Sequence, residues 1–347
     1  MGVQKLSLEV NDDSIIPKYK QVIDSIISNI KSGKITYGQK LPSINQLSFE
    51  YYLSRDTVEK AYRYLKQDGI INSIKSKGYY VSNTTPESRV KVLVIFNKLS
   101  AYKRVIYNSL AHALGEKAQI DFFIYHLDYQ LFERIINEHL EGYHYYVIMP
   151  HFIKYDRPSL LKLLQKINSD KLIIMDRRID GLENYYGGVY QDFKMDIYNA
   201  MEEALELLQK YRKLILVFPD RKSYPYPYPE EIVAGFKRFC SFNQFKFEVI
   251  DEVTENMSIE KGAAYVVIEE NDLVQLIKHI RSQKLQLASD VGILSYNDTP
   301  LKEVLAEGIT VITTDFTKMG ELAAEMILKE SPGVIKNDFL LVKRKSL

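Results

Sequence analysis

Carboxylate, amide and aromatic side chains follow several of the apolar segments that lie after residue 90. Carboxylates and amides form paired hydrogen bonds with neighbouring hydroxyl groups, and aromatic rings cover the C–H face of a sugar. The pattern therefore predicts a site for a small polyhydroxylated ligand. The candidate residues are Tyr102, His151, Asp176, Arg177, Asn271, Asp272, Tyr296, Asn297 and Thr314. Any one of them could instead be a helix cap or a turn residue, so the prediction depends on the whole set.

A second polar set lies before residue 82. Lysine, arginine and small polar side chains bind phosphates and read the edges of bases, which is the chemistry of DNA recognition. The candidate DNA-binding residues are Ser43, Asn45, Ser54, Arg55, Thr57, Lys60, Lys77 and Gly78.

The elements around this second set predict a winged helix-turn-helix. Ser43 and Ser54 are expected to cap two short helices, and Gly69 ends the second of them. A helix at 17–32 completes the core, and a hairpin with its turn at 75–78 follows. The residues expected to face the core are Ile44, Leu47, Phe49, Val58, Ala61, Tyr62 and Leu65. The alternative is a solvated amphipathic helix pair in an unrelated domain.

From residue 90 the chain alternates between apolar strands and amphipathic helices, which predicts two doubly wound α/β lobes. The first candidate set follows the strand ends, where such sheets bind their ligands. The predicted strands are 91–96, 120–125, 145–149, 171–175, 213–218, 246–250, 265–268, 291–295, 308–313 and 338–342. The predicted helices are 103–116, 129–139, 158–167, 193–209, 230–242, 255–261, 270–282, 299–305 and 317–329. The expected domains are 1–82 and 90–347, joined by a linker at 83–89.

Composition excludes several classes of protein. The chain has 347 residues, of which 46% are hydrophobic and 26% charged, and one cysteine, Cys240. A single cysteine excludes a disulfide framework and a cysteine metal site within one chain. No signal peptide and no membrane span are predicted, so we expect the chain to stay in the cytoplasm. Residues 1–85 contain 12 Lys/Arg and 8 Asp/Glu, a net charge of +4, whereas the remainder, with 34 and 37, has −3.

The N-terminal segment resembles the GntR family of bacterial transcription regulators over residues 17–82. The residues that match are Pro17-Lys18-Tyr19, Gly38, Leu41-Pro42-Ser43, Leu53 to Val58, Leu65, Gly69 and Lys77 to Val81. The resemblance implies that Ser43, Asn45, Arg55, Thr57, Lys77 and Gly78 lie at the DNA. Asn45 and Glu59 replace arginines that the family usually has, which implies a different operator sequence.

Residues 90–342 resemble the LacI and periplasmic sugar-binding protein superfamily. The matching segments are Leu172 to Arg177, Val189 to Asp192, Ala234 to Phe236, Val291 to Asp298, and Ile309 to Asp315 with Met319-Gly320. The resemblance implies two lobes that close on a small ligand, with sugar contacts at Asp176-Arg177, Asn271-Asp272 and Asn297. Ile232 stands where the superfamily often has an arginine. The pairing of the two domains resembles the arrangement of bacterial arabinose repressors.

Together these features predict a homodimeric, ligand-responsive regulator, more specifically a repressor, that binds double-stranded DNA and a neutral monosaccharide. We expect Arg177 to pair with Asp176. The alternatives are a non-sugar metabolite or a sugar phosphate, the latter held by Arg177 with Arg221 or Lys103. An enzymatic C-terminal domain is a further alternative, but no GxSxG, GxxxxGK[ST] or GxGxxG motif is present. No catalytic residue, metal or cofactor is predicted.

Overall fold

The computed structural model describes residues 6–11, 14, 16–82, 89–219 and 228–347. The chain forms two compact units, Met1–Val90 with Glu116–Gln119, and Lys91–Gly115 with Ile120–Leu347. Except for Arg89, the predicted linker lies outside the described residues, as does Arg221.

The first unit has the predicted helix and hairpin order. Its elements are α1 (Lys18–Lys31), α2 (Ile44–Glu50), α3 (Arg55–Gln67), β1 (Ile71–Ile74) and β2 (Gly78–Val81). Ser43 and Ser54 cap α2 and α3, since their side chains accept hydrogen bonds from the backbone N–H groups of Gln46 and Thr57. Gly69 follows α3 with a φ of +67°, the left-handed conformation expected of a C-terminal cap.

Burial in the first unit confirms the predicted core residues of α3 and contradicts one of those predicted on α2. Val58, Ala61, Tyr62 and Leu65 are completely buried. Leu47 is also buried, but Phe49 is 86% exposed, so its predicted place in the core was wrong. The physical reason is length, because a helix of two turns presents few positions to one side.

The rest of the chain forms the α/β part. Its strands are β3 (Val90–Phe96), β4 (Ala118–Ile124), β5 (Tyr145–Ile148), β6 (Leu172–Asp176), β7 (Gly187–Tyr190), β8 (Lys213–Val217), β9 (Lys246–Ile250), β10 (Ala263–Val267), β11 (Gly292–Tyr296), β12 (Thr310–Thr314), β13 (Gly333–Lys336) and β14 (Phe339–Val342). Its helices are α4 (Ala101–Leu114), α5 (Tyr129–Glu138), α6 (Arg157–Leu164), α7 (Phe193–Glu203), α8 (Leu205–Leu208), α9 (Glu231–Phe242), α10 (Glu270–Ser282), α11 (Pro300–Val304) and α12 (Phe316–Leu328). Short 3-10 segments lie at Gly115–Lys117, Ser169–Lys171 and Leu305–Glu307.

The strands form two six-stranded sheets, as two lobes require. The first lobe has the order β13-β7-β6-β5-β3-β4, and the second has β14-β12-β11-β10-β8-β9, in which β14 runs antiparallel to β12. The prediction treated the lobes as two successive halves of the chain, and that was incomplete. β13 belongs to the first sheet, and α12 packs on α4 of the first lobe, although both follow the strands of the second lobe.

The chain consequently crosses between the lobes three times, after β7, after β12 and after β13. Hydrogen bonds join these crossings to one another. The N–H of Asn337 donates to the carbonyl of Tyr190 at 2.8 Å, and its side-chain amide donates to the carbonyl of Asp315 at 2.9 Å. The N–H of Asp315 donates to the carbonyl of Asp338 at 3.0 Å. The three crossings are therefore joined in one hydrogen-bonded connection between the lobes, which is called the hinge below.

Three secondary-structure predictions need correction. The segment 255–261 is not helical, because the side chain of Gln283 bonds the backbone of Met257 and Ile259 in place of helical partners. The long helix at 193–209 is interrupted at Ala204. Strands β7 and β13 were not predicted. A Cβ at Gly188 of β7 would lie 2.6 Å from the carbonyl oxygen of Ile174, so its glycine reflects close strand packing and not a loop.

Candidate functional site

The first unit presents a polar surface at the start of α3. Ser54 accepts from the N–H of Thr57 at 3.1 Å, and the two hydroxyl oxygens lie 2.7 Å apart. Arg55 is exposed beside them. Because the N-terminus of a helix carries free N–H groups and a partial positive charge, this end of α3 suits a DNA phosphate or base edge.

The other predicted DNA-binding residues lie on α2, later on α3 and on the hairpin. Asn45 and Ser43 are exposed at the start of α2, and Lys77 is exposed in the hairpin turn before Gly78. The ammonium of Lys60 lies 4.2 Å from the ring centre of Tyr19, a cation–π contact within the unit.

In the first lobe, a buried charged cluster lies at the end of β6. Asp176 is 7% exposed and has a φ of +77°, a conformation that non-glycine residues rarely adopt and that is common at functional sites. Its Oδ2 atom lies 2.6 Å from Nε2 of His151 and 3.5 Å from Nζ of Lys103. The Gln191 amide donates to its Oδ1 atom, and Lys103 also donates to Asn97. Each oxygen of the carboxylate therefore accepts from at least one donor.

The charges in this cluster fix its protonation. Burial raises the pKa of the Asp176 carboxyl, but Lys103, His151 and Gln191 outweigh burial and hold the pKa well below its usual range. Burial and then the charge of Lys103 lower the pKa of the His151 imidazole. His151 is therefore neutral at pH 7 and donates from Nε2 to Asp176, which leaves its Nδ1 as an acceptor.

In the second lobe, the corresponding strand end carries polar atoms without partners. Asn297 follows β11 with a φ of +62°. Its Oδ1 atom and the hydroxyl of Tyr296 are buried, and neither has a hydrogen-bond partner within the part of the chain that the structure describes. Buried polar atoms are nearly always satisfied, so these two atoms indicate a missing ligand or solvent partner. Lys302 holds the turn from behind, donating to the carbonyls of Tyr296 at 3.0 Å and Asn297 at 2.8 Å.

The two strand ends face one cavity of about 120 Å³. Tyr102 and Phe316 stack in its wall with their ring centres 5.2 Å apart. Its lining residues are Lys98, Ser100, Tyr102, Lys103, Ile106, His151, Asp176, Gln191, Phe193, Tyr228, Pro229, Ile232, Tyr296, Asn297 and Phe316. A larger cleft of about 870 Å³ shares His151, Tyr228 and Pro229 with it.

The structure places five of the nine predicted effector residues in this cavity: Tyr102, His151, Asp176, Tyr296 and Asn297. Thr314 lies one step behind it, because its hydroxyl donates to the side chain of Gln191. Asn271 and Asp272 do not line it. Asn271 is exposed, and Asp272 accepts from the N–H of Val253 at 2.8 Å, which is a structural role.

Arg177 requires a correction as well. It lines the larger cleft, and the cation that pairs with Asp176 is Lys103 from α4. Sequence proximity suggested Arg177, but Lys103 meets Asp176 only through the fold. The cavity residues that were not among the nine candidates include Lys98, Gln191, Tyr228 and Phe316, together with Lys103, which had been considered only for a sugar phosphate. Lys98 and Gln191 lie just after strands, and Lys103 and Phe316 lie in the first turns of helices, which is the signal that could have found them.

Two family models match the chain. The family described as bacterial regulatory proteins, gntR family, matches residues 18–81. The periplasmic binding protein-like domain matches residues 207–346. The chain joins a GntR-type helix-turn-helix domain to a periplasmic-binding-protein-like domain. This domain composition is that of a bacterial transcription regulator and confirms the predicted fold class.

Individual relatives match either most of the chain or a smaller part of it. The arabinose metabolism transcriptional repressor of Geobacillus stearothermophilus is 22% identical over 340 residues, which cover 91% of this chain and 92% of that protein. The HTH-type transcriptional repressor YtrA of Bacillus subtilis is 30% identical over 84 residues, or 24% of this chain and 65% of that protein. The mannosyl-D-glycerate transport/metabolism system repressor MngR of Escherichia coli is 38% identical over 65 residues, 19% of this chain and 27% of that protein.

Solved structures agree with the fold. A dimeric lac repressor has a TM-score of 0.57 at 14% identity and covers 74% of this chain and 98% of its own. The trehalose repressor from Escherichia coli also has a TM-score of 0.57, at 13% identity, and covers 73% of this chain and 100% of its own. No helix within the described residues is long and apolar enough to cross a membrane.

Proposed function

We propose that the chain is a repressor of sugar-utilisation genes whose two-lobed part binds a neutral monosaccharide. Residues 1–82 bind an operator, and residues 90–347 bind the sugar and pair two copies into a homodimer. The resemblance to an arabinose metabolism repressor along almost the whole chain supports the class of regulated genes.

The observation that carries this proposal is the pair of strand ends around the small cavity. The Asp176 carboxylate is already neutralised by Lys103 at 3.5 Å, so the first lobe offers hydrogen bonds with little surplus charge. The second lobe offers the unpartnered Tyr296 hydroxyl and Asn297 Oδ1. A sugar hydroxyl both donates and accepts, so one polyol can satisfy both lobes, and the stacked Tyr102 and Phe316 rings suit its C–H face.

Binding reaches the hinge through Gln191. This residue lies on the first crossing, donates to Asp176 in the cavity and accepts from Thr314 at the second crossing. A sugar that bridges the lobes favours the closed arrangement by its greater affinity for it. Closure changes the relation between the two copies of the dimer, so their α3 helices no longer match two half-sites.

A sugar phosphate is the second candidate. A neighbouring cavity of about 350 Å³ is lined by Arg157, Arg177 and Arg178. Arg157 donates to the carbonyl of Asp180, and Arg178 lies over the ring of Tyr190, which leaves Arg177 to bind an anion. Three carboxylates, from Asp180, Asp192 and Glu231, line the same cavity, which favours the neutral sugar.

Operator binding is tested with the upstream DNA of the chain's own gene at low salt. We expect Arg55→Ala to weaken specific binding by roughly 1–3 kcal/mol if Arg55 reads a base. Lys77→Ala should weaken all sequences about equally and reduce the dependence of binding on salt. The matched control is Lys237→Ala on α9 of the second unit, which should leave the operator affinity and its dependence on salt unchanged. Absence of DNA binding by the unaltered protein would refute the proposed function.

The ligand is tested by thermal shift over pentoses, hexoses, deoxyhexoses and their phosphates, followed by release of operator DNA. A neutral sugar that binds should raise the melting temperature by mass action and release the DNA. If only sugar phosphates stabilise the protein, the second candidate is favoured. Loss of this stabilisation in Arg177→Ala would then indicate that Arg177 binds the phosphate group.

A further inference from the structure

An extended arm, residues 6–11, lies along α1 and precedes the segment that the GntR family model matches. Its side chains alternate as those of a strand do. Leu6 and Leu8 are buried in the core of the first unit, and Val10 packs against that core. The odd-numbered residues of the arm instead turn their backbone toward α1.

Three buried polar side chains on α1 bind this backbone. Ser25 both accepts from the N–H of Glu9 at 3.0 Å and donates to its carbonyl at 3.2 Å. Gln21 accepts from the N–H of Asn11 at 2.7 Å and donates to its carbonyl at 3.1 Å. The side-chain amide of Asn29 donates to the carbonyl of Ser7 at 2.7 Å. The side chains are less than 10% exposed, at 8% for Gln21, 9% for Ser25 and 7% for Asn29.

The spacing of the two elements explains this register. The helix residues recur every four positions, a rise of about 6.0 Å. The arm residues recur every two, a rise of about 6.6 Å in an extended chain. Because the two rises nearly agree, one face of α1 serves as a strand edge for an arm that runs antiparallel to it. Without the arm, three polar groups would lie on an otherwise apolar helix face.

The arm also reaches α2. The hydroxyl of Tyr51, at the end of α2, accepts from the N–H of Leu8 at 3.1 Å and donates to the carbonyl of Leu6. The same backbone therefore bonds the side chains of α1 and the residue that ends α2. Because α2 precedes α3 by a tight turn, any shift of α2 also displaces the capped start of α3.

We infer that residues 6–11 are a structural part of the DNA-binding unit that fixes α2 against α1, with Gln21, Ser25, Asn29 and Tyr51 as positioning residues. Its consequence for operator affinity rests on the proposed function, whereas its consequence for the fold of the first unit does not. The unit would thus extend further toward the N-terminus than the family model does.

The first test is amide hydrogen exchange on the full chain. We expect the N–H groups of Leu8, Glu9 and Asn11 to exchange at least about 100-fold more slowly than in an unstructured peptide. Ser25→Ala should accelerate exchange in the arm and at the end of α2. The matched control is Ser28→Ala on the same helix, because Ser28 is exposed, and this variant should exchange like the unaltered protein.

The second test deletes residues 1–11 from the full chain. We expect the melting temperature of the first unit to fall by on the order of 10 °C. We expect operator affinity to fall roughly tenfold, because fewer molecules hold α3 in the binding arrangement. A synthetic peptide of residues 1–16 added in trans should restore part of both losses, as expected for a docked segment.

The inference is overturned if the arm exchanges like an unstructured peptide, or if the deletion leaves melting and α2 exchange unchanged. It is also overturned in its functional part if the deleted chain folds less stably but binds DNA as tightly as before. If the unaltered protein binds no DNA, the proposed function fails, and exchange and melting still decide whether the arm is part of the unit.

Discussion

The fourth strand of each lobe, β6 in the first and β11 in the second, shows two versions of one arrangement. Each strand leads to a non-glycine residue in the left-handed conformation, Asp176 with a φ of +77° and Asn297 with a φ of +62°. A buried lysine supports each turn. Lys103 pairs with the Asp176 carboxylate, whereas Lys302 bonds the carbonyl of Asn297.

The difference lies in which polar atoms are already occupied. In the first lobe, each oxygen of the carboxylate already accepts from a neighbour, so the charged groups are fixed before any ligand arrives. In the second lobe, the lysine bonds only backbone, and the Tyr296 hydroxyl and Asn297 Oδ1 have no hydrogen-bond partner among the described residues. We therefore expect changes at Asp176 to alter stability and binding together, and removal of the unpartnered polar atoms of Tyr296 and Asn297 to weaken binding without loss of stability.

The largest expected effect comes from Asp176→Ala, which leaves Lys103 buried without its counter-charge. We expect the free energy of unfolding of the second unit to fall by about 3–5 kcal/mol. Effector binding should be lost, while operator binding without effector is kept. Denaturant titration and calorimetry measure the two effects.

The double variant Asp176→Ala with Lys103→Met is its control. Removing both charges should recover part of the lost stability but none of the effector binding. An Asp176→Ala chain that binds the effector with unchanged affinity would show that the cavity is not the binding site.

A smaller effect is expected at the hinge. Gln191→Met removes one hydrogen bond to a buried carboxylate, which is typically worth about 1.5–3 kcal/mol. It also separates Asp176 from Thr314, so release of operator should weaken more than effector affinity does. Calorimetry and operator release measured side by side would show this. Thr314→Val breaks only the hydrogen bond between Thr314 and Gln191. If effector binding and operator release weaken to the same extent in both variants, Gln191 does not transmit binding to the hinge.

Tyr296→Phe distinguishes the second lobe from the first. Because the hydroxyl is buried without a partner, its removal should leave stability unchanged or raise it by roughly 1 kcal/mol. Effector affinity should nevertheless fall about tenfold, or about 1.4 kcal/mol. Tyr265→Phe is the matched control, since its buried hydroxyl accepts from the N–H of Glu260 at 3.1 Å. Tyr265→Phe should lose stability and keep its effector affinity. A loss of stability in Tyr296→Phe, or a loss of effector affinity in Tyr265→Phe, would contradict the comparison.

The last expected effect concerns Lys302 and appears only at alkaline pH. Burial lowers its pKa from 10.5 to about 8, with Glu270 and Asp298 opposing the shift. Between these values the unfolded chain binds more protons than the folded one. The free energy of unfolding should therefore rise with pH from about 8 to 10.5, by up to about 1.4 kcal/mol per pH unit. Lys302→Met should lack this rise. The prediction is wrong if urea titrations give the same change in the free energy of unfolding for both proteins between pH 7 and 10.

Local patterns made most elements predictable. Helix caps at Ser43 and Ser54 depend on contacts within a single turn, which a sequence records directly. Asp176, Tyr296 and Asn297 could also be predicted as site residues, because the end of a buried parallel strand is recognisable in a sequence. The arm could have been found from the alternation of residues 6–11, Leu-Ser-Leu-Glu-Val-Asn, which has the period of a strand.

Pairings across long distances in the chain were not predictable in this way. Lys103 and Asp176 are 73 positions apart, and the sequence near either residue does not indicate that they pair. Strand β7 was not predicted, because only the neighbouring backbone explains why a strand needs glycine at Gly188. Strand β13 was missed since the prediction placed the first lobe entirely before the second.

The three crossings between the lobes have a consequence for how the protein is made. The first unit is contiguous in sequence up to its hairpin, so that hairpin can form as soon as Val81 leaves the ribosome. The sheet of the first lobe needs β13, whose last residue is Lys336. At bacterial rates of synthesis, Lys336 follows Val81 by on the order of 10 to 50 s. During that interval each new chain carries a folded DNA-binding unit before its ligand-binding part is complete.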